Sequence, residues 1–419
     1  MAFAEQTGPH SWRVRYWSDT GVHASITGFT TEAQAKAKAA EIDVDRRRGT
    51  FLDPAAGQIR LADWAARWFD ALDVARATEA QYRSLTANHI LPAWGHKPIS
   101  ELAGTDIHIW AGKLRRAGYA DSTVNTIVKV LSMMLADAAH ERLIPANPIR
   151  PQRRGRRHHA HRREIPWAGP EQALTIGLQA AELVGGWAGT LIITAAWTGA
   201  RWGELTGLQR DNLHLDTTNL TGRMVIDPHY GALHEVSPDL FLGPPKTSES
   251  ARTITLPPFL VELLARHLDT HSASHVFVTR AGHLLRRSNF SRNAMRPATD
   301  GNLDKPRARH RLEPIVPGLT FHGFRHSHKT WMIEDGLPDV VQARRLGHTM
   351  PDKIEDIYSH VAPALEDKLL AHLQNRYETA SAALAASEPA PEPATVLGDI
   401  ARVIPPPRVI DSSTLAITG

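Results

Sequence analysis

The stretch "AGTLIITAAWTGARWGELTGL", residues 188–208, constrains the fold more than any other part of the chain. Its first part is almost entirely apolar, which predicts a helix that is buried on all sides. The pair Thr198-Gly199 breaks this helix, and a second helix restarts through Arg201. Glu204 follows one helical turn later, where its carboxylate can brace the arginine. The sequence therefore predicts a cation held at the break between two helices.

The whole sequence predicts a multidomain α+β protein. Its 419 residues are enough for two or three domains, and a hydrophobic content of 42% allows sizeable cores. In "SWRVRYW" the residues alternate as in a strand, and "TEAQAKAKAAEIDVDRRRG" begins with a capping pattern and is strongly helical. Residues 1–57 are therefore interpreted as a small β-sheet-plus-helix domain. Residues 58–148 predict an all-helical domain, with helices near 61–72, 79–90, 105–116 and 122–141.

Local signals predict where these helices begin and end. The expected N-caps are Thr78, either Thr105 or Asp106, and Ser122, because their side-chain oxygens can accept hydrogen bonds from free backbone N–H groups. The expected stop signals are Pro92, Gly95, Pro98 and Pro145.

Residues 165–380 predict a larger, mainly helical domain with a small antiparallel sheet. Its strand-like pieces are "RMVI", "ARTITLP" and "HVFVT". Its later helices are expected around 323–335, 338–346, 351–359 and 364–376. Residues 381–419 lack periodicity and are rich in Ala, Pro, Glu, Ser and Thr, which predicts a disordered tail.

Basic residues are concentrated between the two larger domains. The segment "RPQRRGRRHHAHRR" holds seven arginines, three histidines and no acidic residue, and residues 149–164 are interpreted as a basic interdomain linker. Beside a polyanion such a strip would release counterions and hold phosphates. The linker residues expected to do so are Arg153, Arg154, Arg156 and Arg157. Arg13 and Arg15 of the first predicted strand belong either to a plain structural sheet or to a DNA-groove reader.

The composition also excludes some classes of protein. Cysteine is absent, which rules out disulfides, thiolate metal sites and cysteine nucleophiles. No apolar run approaches the roughly 20 residues of a membrane span, and the first residues lack the layout of a signal peptide. A cytoplasmic protein without membrane contact is therefore expected.

Four separated stretches of the predicted C-terminal domain carry cationic and phenolic side chains. In chain order, these are Arg201, Lys246, His322, Arg325, His348 and Tyr358. Lys246 falls in a turn between likely strands, and His322 and Arg325 lie one helical turn apart on the same face. Each of these signals alone is weak, because most such residues are solvated or structural. Their joint order and spacing along the chain are much more informative than any one of them alone.

This pattern resembles that of the tyrosine recombinases, the phage integrase family. The match is carried by Arg201, Lys246, "HGFR" from His322 to Arg325, "LGH" ending at His348, and Tyr358. The catalytic resemblance covers about 165–375. Residues 58–148, with "LPAWGHKPISEL", are similar to the family's helical core-binding domain, and 11–57 resemble the small domain that holds arm-type DNA sites. The long segment before the lysine, "DPHYGALHEVSPDLFLGPP", departs from the family pattern.

These residue types suit cleavage of a DNA strand without a metal ion. The negative charge of a phosphodiester grows on attack, and paired N–H donors of Arg201 and Arg325 can stabilise it. The two histidines can add donors aimed at the same oxygens. Tyr358 would attack phosphorus, His322 would accept its proton, and Lys246 would protonate the leaving oxygen. The cations of "HGFRHSHKT" are thus expected to face one phosphate, with His326 and His328 as supporting residues or phosphate-backbone donors and not as catalysts.

The resemblance implies further properties. It implies a 3′-phosphotyrosyl intermediate, a free 5′-hydroxyl, and strand exchange through a four-way junction by a homo-tetramer on double-stranded DNA attachment sites. An integrase of a phage or another mobile element is expected, without cofactor or ATP, and with a directionality factor or host DNA-bending protein as a further partner. In this family the terminal helix often docks on a neighbouring protomer; the apolar stripe Leu365, Leu369 and Leu373 fits that or packing on its own domain. Tyr377 lacks an upstream "LGH" and is not expected to be the nucleophile.

Three other functions stay open at this point. A metal-dependent hydrolase would use His322, His326 and His328, but no H-E-x-x-H motif completes such a site and Arg325 would repel a cation. If the protein were a DNA-binding regulator without catalysis, the six residues from Arg201 to Tyr358 that match the family would have to be a relic or a coincidence. A type IB topoisomerase shares the phosphotyrosyl chemistry, but the amino-terminal sheet, the "LGH" histidine and the domain order favour a recombinase.

Overall fold

The structure, a computed structural model, describes residues 1–18, 21–53, 55–149, 164–305, 310–349 and 362–387. The chain divides into two compact units, Met1–His158 and His159–Gly419. The first holds a small sheet followed by helices, and the second is mainly helical with small antiparallel sheets. The predicted multidomain α+β class is therefore confirmed. The predicted domain boundaries within these units stay predictions.

A three-stranded antiparallel sheet opens the first unit. Its strands are β1 (Phe3–Gly8), β2 (Ser11–Trp17) and β3 (His23–Phe29), and helix α1 (Glu32–Arg48) packs on it. Val14 and Tyr16 of β2 are buried in a small core that includes residues of α1, as the alternation predicts. Strand β1 is missing from the sequence prediction, because "FAEQTG" is largely polar and lacks that alternation.

Helices dominate the rest of the first unit up to residue 149, the last that the structure describes there. They are α2 (Leu61–Asp70), α3 (Arg76–Leu85), α4 (Leu91–Trp94), α5 (Gly104–Arg116) and α6 (Asp121–His140). Ile127, Leu131 and Leu135 of α6 are buried at helical spacing in one core with Trp64 of α2. The indole N–H of Trp64 donates to the Met134 carbonyl at 2.8 Å, which fixes the two helices against each other.

The N-caps predicted for these helices are wrong. The capping positions are Ala75, Ala103 and Ala120, and none of them forms a side-chain cap. Thr78, Thr105, Asp106 and Ser122 lie inside the first turns instead. Those turns face solvent, so water can satisfy their free N–H groups without a capping side chain.

Pro92 does not end a helix, contrary to the prediction. Helix α3 continues through a wide turn, Thr86–Ile90, into α4. In this turn the Leu91 N–H donates to the Thr86 carbonyl, five residues back instead of four. Proline has no N–H to donate and its ring crowds the preceding turn, and a widened turn accommodates both effects.

The second unit is built on the apolar helix identified in the sequence. Its first helices are α7 (Pro170–Val184), α8 (Gly186–Thr198) and α9 (Trp202–Thr206). Helix α8 is buried from Ala188 to its end, and α9 restarts after Gly199, as predicted. Helices α7 and α8 approach closely, because a Cβ on Gly189 would lie 2.7 Å from the Gly177 carbonyl oxygen.

A three-stranded antiparallel sheet and a hairpin follow. The sheet has the order β4 (Leu213–Asp216), β5 (Thr221–Ile226) and β8 (Arg252–Leu256), and the hairpin joins β6 (Ala232–Val236) to β7 (Asp239–Gly243). The predicted strands "RMVI" and "ARTITLP" are β5 and β8. The prediction for "HVFVT" is wrong, because these residues form only an isolated bridge from His275 to Gln209. Val276 and Phe277 are apolar because they fill the core.

The remaining helices complete the core of the second unit. They are α10 (Pro258–Leu268), α11 (Arg287–Phe290), α12 (Arg296–Asp300), α13 (Gly323–Glu334), α14 (Asp339–Leu346) and α15 (Pro363–Ser387). Leu369 and Leu373 of α15 are fully buried in this core, so the stripe packs on its own unit. Tyr377 belongs to the same core and stacks on Phe259 with 3.8 Å between the ring centroids. Its burial agrees with the expectation that it is not the nucleophile.

The predicted tail begins too early. Residues 381–387 are the last turns of α15, since alanines continue its helical pattern. Residues 388–419 and the predicted helix 351–359 lie outside the described residues. Within the described part of the chain, no helix combines the length and apolarity needed to cross a membrane.

Candidate active site

The break between α8 and α9 presents Arg201. Gly199 ends α8 in the left-handed region with φ 64°, and a Cβ there would lie 2.6 Å from Cδ2 of Leu346. Any other residue would therefore be both strained and blocked at this position. The chain turns at the glycine and leaves the Arg201 side chain 22% exposed. The predicted brace is confirmed, since Nη1 of Arg201 donates to Oε1 of Glu204 at 2.7 Å.

Glu204 is a buried carboxylate shared by two arginines. Its second oxygen accepts hydrogen bonds from Nη2 of Arg252 at 3.0 Å and from the backbone N–H of Arg201 at 2.9 Å. Burial alone would raise the pKa of Glu204, but Arg252 and Arg201 together outweigh burial and lower that pKa below its ordinary value. The carboxylate is therefore charged at neutral pH and holds both guanidinium groups in place.

Arg325, on α13, is a buried cation that is only 4% exposed. Its Nη1 donates to the Gly199 carbonyl at 2.8 Å, and its Nη2 donates to the Leu346 carbonyl and to Nε2 of His348, the latter at 2.7 Å. Burial, together with nearby Arg201, lowers the pKa of Arg325 to about 9, so the group stays protonated at neutral pH. Because these three acceptors are uncharged, the positive charge remains available to an anion.

His348 follows a second left-handed glycine at the end of α14. Gly347 has φ 65°, and a Cβ on it would lie 2.8 Å from the carbonyl oxygen of Glu249. Partial burial and the charge of Arg325 lower the pKa of His348 to about 4, so the ring is neutral at physiological pH. Arginine can only donate, so Nε2 of His348 accepts and the ring proton lies on Nδ1.

The two arginines are held crosswise. The Gly199 carbonyl, which lies just before Arg201 in the chain, accepts a hydrogen bond from Arg325. The Gly347 carbonyl, which precedes His348, accepts one from Nη2 of Arg201 at 3.4 Å. Each guanidinium is thus fixed by the chain segment that carries another of the predicted catalytic residues. The structure brings three of those residues into one hydrogen-bonded network.

Lys246 and His322 line a cavity of about 490 Å³ together with Arg201. Lys246 is exposed in the loop between β7 and β8, the position predicted from the sequence. His322 directly precedes α13, and Arg287 at the start of α11 adds another cation to the lining. Partial burial and the neighbouring His326 lower the pKa of His322, so a neutral imidazole faces the cavity. A neutral imidazole of this kind can accept a proton.

The expectation that all cations of "HGFRHSHKT" face one phosphate is wrong for His328. This histidine is fully buried, its Nδ1 lies 3.0 Å from the Ala196 carbonyl, and Nε of Arg345 donates to its Nε2 at 3.4 Å. Burial lowers its pKa well below the ordinary value, so it is a neutral packing residue. It cannot join His322 and His326 around a metal ion. The described residues contain no group of three or more His, Cys, Asp or Glu side chains that could hold one.

Several predicted site residues lie outside the described residues. They are Tyr358 and the linker residues Arg153, Arg154, Arg156 and Arg157. Arg13 and Arg15 are described, and both approach one carboxylate: Oε2 of Glu5 is 2.8 Å from Nε of Arg13 and 3.9 Å from Nη1 of Arg15. The carboxylate was not anticipated because it lies on the unpredicted strand β1. Binding of DNA by these arginines stays a prediction.

Two buried residues that support the site were not identified from the sequence. Arg252 donates to the Arg345 carbonyl at 2.9 Å and to the Ser250 carbonyl at 2.7 Å, besides its bond to Glu204. Ser250 in turn accepts a hydrogen bond from Nη1 of Arg201 at 2.8 Å. A signal for Arg252 exists, because the alternation of "ARTITLP" places it on the buried face of its strand, where a cation needs a partner. No comparable signal marks the serine.

Comparison with known proteins identifies the family. Residues 187–364 match the phage integrase family. The integrase of Mycobacterium phage L5 is 26% identical over 305 residues, which cover 71% of this chain and 74% of the relative. A tyrosine recombinase XerC-like protein of Caldanaerobacter subterraneus is 25% identical over 362 residues, covering 80% of this chain and 87% of the relative. Residues 187–364 of the chain therefore carry a domain of the phage integrase, or tyrosine recombinase, family.

Two solved structures share the fold. The Tn1549 transposon integrase in complex with transposon right end DNA has a TM-score of 0.56 at 18% identity, over 75% of this chain and 99% of that one. A lambda integrase dimer bound to a COC′ core site has a TM-score of 0.51 at 16% identity, over 86% and 99% of the two chains. The family match favours a recombinase over the topoisomerase and regulator interpretations.

Proposed function

We propose that this protein is a site-specific DNA recombinase that cuts and rejoins strands through a covalent 3′-phosphotyrosyl intermediate. The observation that carries the proposal is the meeting of Arg201, Arg325 and His348 in one network, beside the cavity lined by Lys246 and His322. Fixed donors and positive charge favour a transition state in which negative charge grows on phosphoryl oxygens. The match of residues 187–364 to the phage integrase family supports the same reaction.

In the proposed first step, the phenol oxygen of Tyr358 attacks the phosphorus of the scissile phosphodiester. A new bond forms between that oxygen and phosphorus as the bond to the 5′ oxygen breaks. His322 accepts the phenolic proton, and Lys246 gives a proton to the leaving oxygen, which becomes a 5′-hydroxyl. In the second step a 5′-hydroxyl of another strand attacks the phosphotyrosine and releases the phenol. The bond energy is conserved, so ATP is not required.

The two arginines carry the electrostatic part of this proposal. Their guanidinium groups can each offer paired N–H donors to the non-bridging oxygens of the phosphate. Arg325 stays protonated with a pKa of about 9, and neutral His348 adds a donor at Nδ1. Fixed positive charge of this kind does at the phosphate what a metal ion does in other phosphoryl-transfer enzymes. The reaction is therefore proposed to be independent of metal ions.

The proposed substrate is double-stranded DNA at the attachment sites of a phage or another mobile element. Integrases of a mycobacteriophage and a transposon are among the similar proteins, which supports a role in integration, including integration of a viral genome. Arg13, Arg15 and the linker arginines are proposed DNA contacts. The working assembly is proposed to be a homo-tetramer on two paired sites in the bacterial cytoplasm. A directionality factor or a host DNA-bending protein would assist it.

A nicked suicide substrate tests the nucleophile. The attachment site is first identified from the DNA that flanks the gene, and a nick beside the cleavage position traps the covalent protein–DNA adduct. Tyr358→Phe should keep DNA binding and lose the adduct completely. The matched control is Tyr377→Phe, which removes a phenol buried in the core and should still form it. An adduct that survives in Tyr358→Phe would move the nucleophile elsewhere.

Two further results test the class of reaction. Adduct formation should persist in EDTA, and its loss would overturn the proposed independence from metals. Incubation of paired attachment sites should yield recombinant DNA. Relaxation of supercoils without any recombinant product would identify a topoisomerase instead.

A further inference from the structure

A single turn of 3-10 helix, Ser248–Ser250, follows Lys246 and lies beside Arg201. Ser250 is fully buried in this turn. Its Oγ accepts a hydrogen bond from Nη1 of Arg201 at 2.8 Å and lies 3.0 Å from Oγ1 of Thr247, the residue next to Lys246. One hydroxyl group therefore joins the arginine to the loop that carries the lysine.

Ser250 is hydrogen-bonded through its hydroxyl group and through its backbone. A hydroxyl has one donor and two acceptor lone pairs, and arginine can only donate, so one lone pair serves Arg201 and the O–H is free to donate to Thr247. The backbone is tied as well. The Ser250 N–H donates to the Thr247 carbonyl at 3.1 Å, and the Ser250 carbonyl accepts from Nη1 of Arg252 at 2.7 Å. The position of the hydroxyl is thus fixed by four hydrogen bonds.

The same turn also packs against the segment that carries His348. A Cβ added to Gly347 would lie 2.8 Å from the Glu249 carbonyl oxygen and 3.0 Å from Cα of Ser250. The turn is therefore in direct contact with the backbone that precedes His348. It meets the chain segments of three proposed catalytic residues: Arg201, Lys246 and His348.

We propose that Ser250 is a positioning residue that fixes the Lys246 loop relative to Arg201. The inference rests on the proposed function, in which the lysine protonates the leaving oxygen while the arginine holds the phosphate. A lysine ammonium is a point charge on a flexible four-carbon stem, so its backbone must be placed accurately for the proton to be delivered. Misplacement of a reacting group by about 1 Å can lower a rate on the order of 100-fold. The buried hydroxyl supplies that placement.

Two DNA substrates separate positioning of the lysine from general structural damage. One is the ordinary suicide substrate, and the other carries sulfur in place of the leaving 5′ oxygen. A thiol has a pKa of about 8.5, far below that of an alcohol, so a thiolate leaves without receiving a proton. Lys246→Ala should be slow on oxygen and recover on sulfur, whereas Arg201→Lys should be slow on both. These two variants are the reference cases: one shows the loss of the lysine alone, and the other shows the loss of the arginine alone.

Ser250→Ala is expected to form the adduct at least about tenfold more slowly than the wild type on the oxygen substrate. On the sulfur substrate it should recover in part, because the lysine defect disappears and the arginine defect remains. The matched control is Ser248→Ala, which removes an exposed hydroxyl from the same turn that bonds Glu249, and it should match the wild type on both substrates. A purely structural defect would slow adduct formation equally whether the leaving atom is oxygen or sulfur.

The proposal is overturned if Ser250→Ala behaves like Ser248→Ala, or if it is equally slow on both substrates. Should Ser250→Ala fail to fold, judged by circular dichroism and DNA binding, Thr247→Val supplies the test. It removes the outer partner of the Ser250 hydroxyl and leaves the bond from Arg201 to that hydroxyl in place, so it should be slow on oxygen and normal on sulfur; normal rates on both would overturn the proposal. A wild-type protein that forms no adduct would instead refute the proposed function.

Discussion

Replacing Glu204 by glutamine tests the centre of the proposed active site. The carboxylate is 2% exposed, and its two oxygens lie 2.7 Å from Arg201 and 3.0 Å from Arg252. Glu204→Gln keeps the shape of the side chain but removes its charge. One end of the amide is an NH₂ group, which cannot accept a hydrogen bond from a guanidinium. One of the two arginines therefore loses its acceptor on this side chain while it still faces a second cation.

The expected loss of stability can be estimated from this geometry. Removing one partner of a buried ion pair destabilises a protein by about 3–5 kcal/mol. The remaining amide oxygen still serves one arginine, so we expect the lower end, about 3 kcal/mol. For a domain of this size that corresponds to a melting temperature lower by about 6–12 °C. Adduct formation should fall by roughly 100-fold, because Arg201 loses its charged partner and keeps only the uncharged acceptors Ser250 and Gly347.

The pH dependence of this effect has a definite sign. The pKa of Glu204 is lowered in the folded protein, so its stabilising contribution is complete above the ordinary glutamate pKa of about 4.3. That contribution is lost as the pH falls through the lower folded-state value. The difference in stability between wild type and Glu204→Gln should therefore be constant near neutral pH and shrink in acid.

Thermal and urea unfolding, followed by circular dichroism at several pH values, measure this difference. The matched control is Glu334→Gln, whose carboxylate lies 3.0 Å from Arg376 but is 46% exposed. An exposed pair of this kind contributes about 1 kcal/mol or less. If Glu204→Gln is no less stable than Glu334→Gln and forms the adduct at the wild-type rate, the reasoning about Glu204 is refuted.

Two other predictions concern the end of α14. Gly347→Ala should lower the free energy of unfolding by about 3 kcal/mol, because it combines a left-handed backbone with a Cβ 2.8 Å from a carbonyl oxygen. The matched control is Gly282→Ala: Gly282 has φ 78°, but a Cβ there would meet nothing within 4 Å, so the substitution should lower the free energy of unfolding by only about 1 kcal/mol. Equal losses for the two variants on thermal unfolding would refute a packing role for Gly347. His348, with a pKa of about 4, should show no ring ionisation by NMR between about pH 5 and 8, and a titration midpoint inside that range would contradict its placement beside Arg325.

The elements with strong local signals were predictable from the sequence. The apolar run of α8 ends at Gly199 because no other residue fits there, and the same break that marks the sequence presents Arg201. The helical pattern of α6 likewise follows from residues that face one core. At these points the residues that determine the local structure also determine what is buried or presented, so periodicity and turn residues predict both the element and its role.

Features that depend on contacts between distant segments were not predictable. Strand β1 forms because it pairs with β2, although its own sequence is polar. The apolar "HVFVT" fills the core without joining a sheet, and periodicity alone does not separate these cases. The carbonyls that fix the arginines belong to backbone groups, which every residue has. No side-chain pattern can reveal which of them will be used.

The crosswise hold on the two arginines has a consequence for variation in this protein. The carbonyl of Gly199 fixes Arg325, and that of Gly347 fixes Arg201, so a shift in either segment disturbs both cations. Substitutions within such a network damage the same arrangement, and their combined effect on rate is smaller than the product of the separate effects. These four positions therefore behave as one structural unit: once one of them has been changed, a change at a second one costs less than it would alone.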